Sequence, residues 1–344
     1  MKFVLALVVL LSGLSVSNAA FLNGQEYVSL GDWGRAYGFH LSIAGREAAL
    51  TGKTSRRVFD VDSSQAQVNG VNVRLSFPIA SDRGMPLIAA MDIETALHPL
   101  LYPQRSTKHI MTICLDPGHG GKDTGNRIGS GLFAHNEKSY TLPLAMELRS
   151  QLKKAGFNVI LTRSKDVYVD LPGRPAIANR AGADLFISLH FNASQVDKND
   201  VQGPETYCIT PIGAQSSNAH GEGGEFGSMV GIGPVTANHD ENQSLCLAYQ
   251  VQKSLVQNLH VTDRAVRRAR FAVLRDAAMP AILIEGGYMT NPTEGEKIYS
   301  AAYRKQMAAA IVKGILEYQS LTVSTPRPVS SVKTNLLPAA VNPQ

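Results

Sequence analysis

With 344 residues, 44% of them hydrophobic and 18% charged, the chain has a globular rather than a disordered composition and is long enough for one large and one small domain. Its formal charge of +5 favours anionic partners, yet no basic run is interleaved with aromatics and no nucleic-acid motif occurs, which removes nucleic acid from the expected partners. The three cysteines, Cys114, Cys208 and Cys246, fit no zinc knuckle and no Cys-x-x-Cys pair, and leave open either one disulfide or three buried thiols.

Residues 1–19 read as a signal peptide. Lys2 supplies a positive start, residues 3–11 are unbroken apolar, and Ser17-Asn18-Ala19 is a small-x-small cleavage pattern. The apolar run is too short to cross a bilayer, and no later stretch is apolar enough to do so. The mature chain is therefore expected outside the cytoplasm, without a stable membrane span.

Residues 21–105 are expected to form a small α+β domain. The stretch 27–33 predicts a strand running into a helix that ends near Gly38. Asn69-Gly70, between Val68 and Val71, is a two-residue hairpin signal. Val71, Val73, Leu75 and Phe77 fall on one face at period two. Residues 93–101 predict a short helix, and the polar stretch 101–109 with Pro103 reads as a linker. No catalytic constellation occurs in this part.

From 110 to 320, strand and helix signals alternate. Strands are predicted at 111–115, 157–162, 185–191 and 281–285, and helices at 140–154, 174–181, 245–259 and 301–318. This rhythm predicts an α/β fold with a mostly parallel, doubly wound sheet flanked by helices. Two segments depart from it. Residues 211–243, rich in Gly, Ser and Asn, read as an inserted loop of a length that is usually functional or disordered. Residues 322–344, with four prolines, read as a disordered tail. The densest basic cluster, Arg264, Arg267, Arg268 and Arg270, reads equally as an anion-facing patch and as a solvated strand edge.

Three apolar strands end in polar groups. One runs into the turn Gly118-His119-Gly120-Gly121, a second ends at His190 with Asn192 on the same face, and a third ends at Glu285. Ligands of open α/β sheets collect beyond the carboxyl ends of strands. Taken singly, the three are a turn histidine, a core histidine and a paired carboxylate. Taken together, they converge on one candidate site. No phosphate loop, G-x-S-x-G elbow or His-Glu-x-x-His motif competes with it.

The stretches LDPGHGGKDTG (115–125), NEKSYTLPLA (136–145), LTR (161–163), LPGRPAIAN (171–179), ADLFISLHFNAS (183–194), RRARFAVLR (267–275) and PAILIEGGYMTNPTE (280–294) resemble, in order, the zinc-dependent N-acetylmuramoyl-L-alanine amidases. The resemblance spans roughly 111–319. It implies a zinc ion (Zn2+) held by His119, Glu137 and His190, with Glu285 as the catalytic glutamate that moves a proton from water to the leaving amine. Glu137 enters only through the resemblance. The implied partner is peptidoglycan, cut between the lactyl group of N-acetylmuramic acid and L-alanine, in the periplasm or at the cell wall. A zinc peptidase of stem peptides and a non-catalytic wall-binding protein are the alternatives.

Some relatives carry an insertion that covers the zinc site until an activator binds. By analogy, 211–243 is either such a lid, with a protein activator as partner, or a glycine-rich surface loop. Asp116, Asn192 or a backbone carbonyl would orient the ligand histidines, Asn192 foremost because it shares a face with His190. Arg163 and Arg174 are read as buried ion-pair formers rather than substrate contacts. Residues 21–105 loosely resemble the small N-terminal domain of copper amine oxidases, with no histidine cluster to hold copper.

Overall fold

The computed structural model describes residues 20–22, 24–217 and 233–323. The expected signal peptide, the centre of the 211–243 insertion and the tail from 324 onward lie outside the described residues. No helix among the described residues is long and apolar enough to cross a membrane.

The N-terminal segment forms the strands β1 (Ala20–Leu22), β2 (Gln25–Ser29), β3 (His40–Ala44), β4 (Glu47–Thr51), β5 (Arg56–Asp60), β6 (Gln65–Val68), β7 (Val71–Arg74), β8 (Ala80–Asp82) and β9 (Met85–Ala89). Helix α1 (Leu30–Ala36) follows β2 as predicted; the Ser29 hydroxyl caps it by accepting from the Asp32 backbone N–H. The β6–β7 hairpin turns at Asn69 (φ 48°) and Gly70 (φ 83°), two left-handed residues as that turn demands. The helix predicted near 93–101 begins at Ala90, and its middle turn, Ile93–Leu97, is a π-helix.

The rest of the chain adds β10 (Thr112–Pro117), β11 (Arg127–Ile128), β12 (His135–Asn136), β13 (Asn158–Leu161), β14 (Leu185–Asn192), β15 (Glu205–Cys208), β16 (Val266–Arg268) and β17 (Ala281–Tyr288). It also adds helices α2 (Lys138–Lys154), α3 (Gly173–Arg180), α4 (Glu241–Leu259), α5 (Ala272–Arg275), α6 (Pro292–Tyr299) and α7 (Ala301–Thr322). Strands β13, β10, β14 and β17 run parallel, β15 pairs antiparallel with β17, and β16 runs parallel to β15. This part of the chain thus contributes the expected parallel strands flanked by helices, with one antiparallel joint, to a sheet that is mixed as a whole.

Both faces of this sheet are covered, which is why its strands read as near-continuous apolar runs. Ile113, Leu115, Ile187, Leu189, Ile282 and Ile284 face one layer, where α2, α4 and α7 supply Leu144, Leu148, Val251, Leu255 and Ile311. Cys114, Phe186, Tyr207, Ala281 and Leu283 face the second layer, closed by Ala178 of α3 and by Val273 and Leu274 of α5. Helix α4 starts four residues before the predicted 245, because its first turn, Glu241 to Ser244, carries no apolar period. All three cysteines are free and buried, and burial pushes the Cys114 and Cys246 thiols up to about 12.

The two segments share one sheet. Its order is β13-β10-β14-β17-β15-β16-β7-β6-β5-β4-β3, so β7 of the N-terminal segment runs parallel to β16, with Val73 paired to Val266. Around that seam the Asn72 backbone N–H donates to Asp263 Oδ2 (2.7 Å), and the Tyr249 hydroxyl donates to the Val68 carbonyl (2.9 Å). A single apolar cluster contains Leu30, Trp33, Phe59 and Val73 together with Ile113, Leu189 and Leu255.

Candidate active site

The carboxyl end of β10 runs into a tight turn at 118–121. His119 adopts φ 61°, a left-handed conformation that costs a residue with a Cβ of the order of 1 kcal/mol or more and persists only where surrounding contacts enforce it. Those contacts are cationic. Arg163 donates to the carbonyls of Pro117 (2.9 Å) and Gly118 (2.8 Å), and Arg174 donates to those of Pro117 (3.0 Å) and His119 (3.0 Å). Lys138 Nζ donates to the Gly121 carbonyl at 2.7 Å. Arg174 also pairs with Asp116 at 2.8 Å, both side chains being buried. Burial favours a neutral Asp116, but Arg174 and the hydroxyls of Thr162 and Ser188 hold its carboxyl below the usual range. Arg174 thus forms the buried ion pair expected of it, whereas Arg163, read the same way, holds the turn through backbone carbonyls and the Thr141 hydroxyl instead.

Held in this way, His119 meets Glu137 and His190. Glu137 stands just before the first residue of α2 without capping it, and its carboxylate lies between the two rings. Its Oε2 is 3.0 Å from His119 Nε2, and its Oε1 is 2.9 Å from His190 Nδ1. The backbone N–H of Phe191 donates to Oε1 (3.0 Å), and the backbone and side-chain N–H groups of Asn126 donate to Oε2 (3.0 and 3.1 Å). All three side chains are at most 4% exposed, and their ligand atoms lie within 4.8 Å of one another. Burial opposes the Glu137 charge, but the two histidines hold its carboxyl well below the ordinary range. Burial likewise opposes charge on His119, which Glu137 and Asp123 outweigh, lifting it to about 8. For His190 burial wins, and its pKa falls.

The space around these groups is kept clear by two glycines. A Cβ at Gly118 would lie 2.1 Å from His190 Cε1, and one at Gly125 would lie 2.5 Å from His119 Cδ2 and 2.6 Å from Glu137 Oε2. Two imidazoles and one carboxylate, buried and converging, are a donor set that could hold a metal ion, of the three-ligand kind that leaves a position open. Glu285 stands in direct register with His190 on the neighbouring strand, roughly 5 Å away by ordinary strand spacing.

A carboxylate not among the expected orienting groups, Asp123, meets His119, and the Asn192 side chain does not bond His190 as expected. Asp123 Oδ1 lies 2.9 Å from His119 Nδ1. A bulge separates His190 from Asn192, and the Asn192 side chain instead accepts from the Ala193 backbone N–H. The sequence signal for Asp123 is a carboxylate four residues after a histidine within one glycine-rich turn. The basic cluster is neither a surface patch nor a solvated edge at most of its positions: Arg267, Arg268 and Arg270 are at most 5% exposed. Arg270 donates to the carbonyls of Pro211 (3.1 Å) and Gly233 (2.7 Å), clasping the described ends of the insertion.

Residues 113–317 match the family described as N-acetylmuramoyl-L-alanine amidase. The chain is 32% identical over 226 residues to the amidase AmiC of Neisseria meningitidis serogroup B, covering 61% of this chain and 53% of that protein. It is 34% identical over 207 residues to the amidase LytC of Bacillus subtilis, covering 60% of this chain and 35% of that one. The chain thus spans about half or less of the length of these two relatives. Among solved structures, the CwlD amidase from Clostridioides difficile, in complex with the GerS lipoprotein, aligns over 61% of this chain and 99% of its own, at 26% identity and a TM-score of 0.50. Since the match covers well over half of the sequence, this chain belongs to the N-acetylmuramoyl-L-alanine amidase family.

Proposed function

We propose that the chain is a zinc-dependent N-acetylmuramoyl-L-alanine amidase, exported to the periplasm or cell wall, that cuts peptidoglycan between the lactyl group of N-acetylmuramic acid and L-alanine. The observation that carries this reading is the buried convergence of His119, Glu137 and His190 one strand away from Glu285. These three residues would hold the metal. Bound there, zinc supplies a Lewis acid that lowers the pKa of water and polarises the scissile carbonyl.

Glu285 takes the proton of the attacking water and delivers it to the L-alanine nitrogen as the amide bond breaks. The products are a glycan with a free lactyl carboxylate and a peptide with a free N-terminal L-alanine. Asp123 keeps His119 Nδ1 engaged, and Arg163, Arg174 and Lys138 keep the turn in place. By analogy with relatives whose insertion covers the site, segment 211–243 is the part on which a protein activator would act.

Dye release from purified sacculi tests the reading. Glu285→Gln is expected to abolish release while retaining zinc, and chelation is expected to abolish it reversibly. Mass spectrometry of the products separates the alternatives. Peptides with a free N-terminal L-alanine support the amidase, whereas cleavage within the stem peptide would replace it with a peptidase.

A further inference from the structure

The ribbon that leads into Glu137 is very short. Strands β11 and β12 pair only through Arg127–Asn136 and Ile128–His135, in a two-stranded sheet separate from the main one. A hairpin of that size is marginal in water without outside packing. Yet the ribbon governs the Glu137 carboxylate. Asn126, the residue before β11, donates its backbone N–H to Oε2 (3.0 Å). Its side-chain amide donates both to Oε2 (3.1 Å) and to the Phe191 carbonyl (3.0 Å). Its carbonyl accepts from the Glu137 backbone N–H at 2.8 Å.

The outside packing comes from a group of stacked rings. His135 of β12 lies flat on Tyr299, the last residue of α6, with ring centroids 3.8 Å apart and planes 2° from parallel. Tyr140, in the first turn of α2, closes on both. Its centroid is 4.7 Å from that of Tyr299, and its hydroxyl is bonded to His135 Nδ1. Arg304 of α7 covers the Tyr140 ring, with Cζ 5.5 Å from its centroid. The stack is also tied to the sheet. The Tyr299 hydroxyl donates to the carbonyl of Met289, one residue past β17, at 3.1 Å. The Met289 backbone N–H donates to the carbonyl of Asn192, at the end of β14, at 2.8 Å. One run of contacts thus joins the ribbon beside Glu137 to the ends of the strands that carry Glu285 and His190.

We infer that His135 and Tyr299 are positioning residues, whose stack holds the ribbon so that the Glu137 carboxylate meets His119 and His190 in ligating geometry. The inference rests on the metal site proposed above. Neither residue is a ligand or a proton carrier in that site. Both act through Asn126 and the backbone entering Glu137. Without the stack, a two-residue ladder alone would set where Asn126 and Glu137 lie. A displacement of roughly 1 Å is enough to spoil a site of this kind.

The test is metal binding by the full chain, read apart from hydrolysis. Zinc affinity is measured by competition with a chromophoric chelator. Cobalt(II) is loaded in place of zinc, so that its visible bands report the ligand geometry. His135→Ala and Tyr299→Ala are each expected to weaken zinc binding about tenfold and to shift the cobalt bands. On a soluble muramoyl peptide, kcat is expected to fall about tenfold with KM within about twofold of the parent. His135→Phe keeps a flat ring and loses the bond to Tyr140, and is expected to restore most of the affinity and the parent bands. Parent-like zinc affinity and cobalt bands in both alanine variants, even at a lowered melting temperature, would overturn the inference. So would His135→Phe as weak as His135→Ala. If the alanine variants do not fold, His135→Gln decides, since it can keep the Tyr140 bond but not the stack. Weakened zinc affinity there supports the inference, and parent-like affinity overturns it. A parent chain that binds neither ion would defeat the metal site itself and the inference with it. A parent that binds zinc no more tightly than its variants defeats the inference alone.

Discussion

Asp123 Oδ1 lies 2.9 Å from Nδ1 of His119, while Glu137 Oε2 lies 3.0 Å from Nε2 of the same ring. The two nitrogens are thus assigned different work, one to orientation and the other to the ligand cluster. Removing the orienting carboxylate should loosen the ring without unfolding the chain. Asp123→Ala is expected to weaken zinc affinity about 10- to 100-fold, measured by competition with a chromophoric chelator. Unchanged affinity would leave Asp123 without this role.

The Asp116–Arg174 pair is buried on both sides. Arg174→Met would leave an uncompensated carboxylate and release the carbonyls of Pro117 and His119. A loss of about 3–5 kcal/mol in denaturant unfolding is expected. A loss below about 1 kcal/mol would show that Asp116 finds other compensation.

Gly118→Ala would press a methyl group into the His190 ring. Backbone strain is not the issue there, since Gly118 is not among the residues with positive φ. The expected result is loss of zinc and of sacculus hydrolysis by about a hundredfold, from a displacement of about 1 Å. Wild-type activity would mean that the ring can move without consequence.

Asp92 is buried and accepts from the backbone N–H groups of Ser76 (2.7 Å) and Phe77 (3.0 Å). Burial nevertheless raises its pKa to about 6. A carboxyl whose folded pKa is raised contributes stability that is fully present below its unfolded value, about 3.9, and is lost as pH rises through about 6. The difference amounts to roughly 3 kcal/mol at about 1.36 kcal/mol per unit. Urea unfolding of Asp92→Asn at pH 4 and pH 7 should show this part of the pH dependence removed. An unchanged difference between the two pH values would assign it to other groups.

The shared sheet and core make the N-terminal segment part of the fold of the rest. Residues 110–323 produced alone would expose β16 as an edge strand and uncover the apolar side chains that pack with Trp33 and Phe59. Such a fragment is expected to melt at a lower temperature than the full chain and to self-associate, as light scattering would show. A monomeric fragment of equal stability would overturn this.

Local pattern was enough to determine most elements. Apolar runs predicted the strand that leads into the His119 turn and the strands that carry His190 and Glu285, and the four-residue spacing of Leu144, Leu148 and Leu152 predicted α2. Asn69-Gly70 determined its hairpin, because both residues tolerate the left-handed conformation that the turn requires. These features depend on neighbours in sequence, and so they are legible there.

Tertiary structure alone decided which side chains share a space. Glu137 meets His119 and His190 only because α2 docks its N-terminus on the edge formed by β10 and β14, a placement that no periodicity encodes. Asn192 does not meet His190 because a bulge between them breaks the face that strict alternation assigns, and Asp123 reaches the other ring, His119, through the turn that holds both. The arginines at 267, 268 and 270 are buried against partners far away in sequence: Arg267 pairs with Glu205, Arg268 donates to the Thr95 carbonyl of the N-terminal segment, and Arg270 donates to the carbonyls of Pro211 and Gly233. Charge counted along a sequence carries no record of such burial, and the seam between β7 and β16 joins residues almost two hundred positions apart.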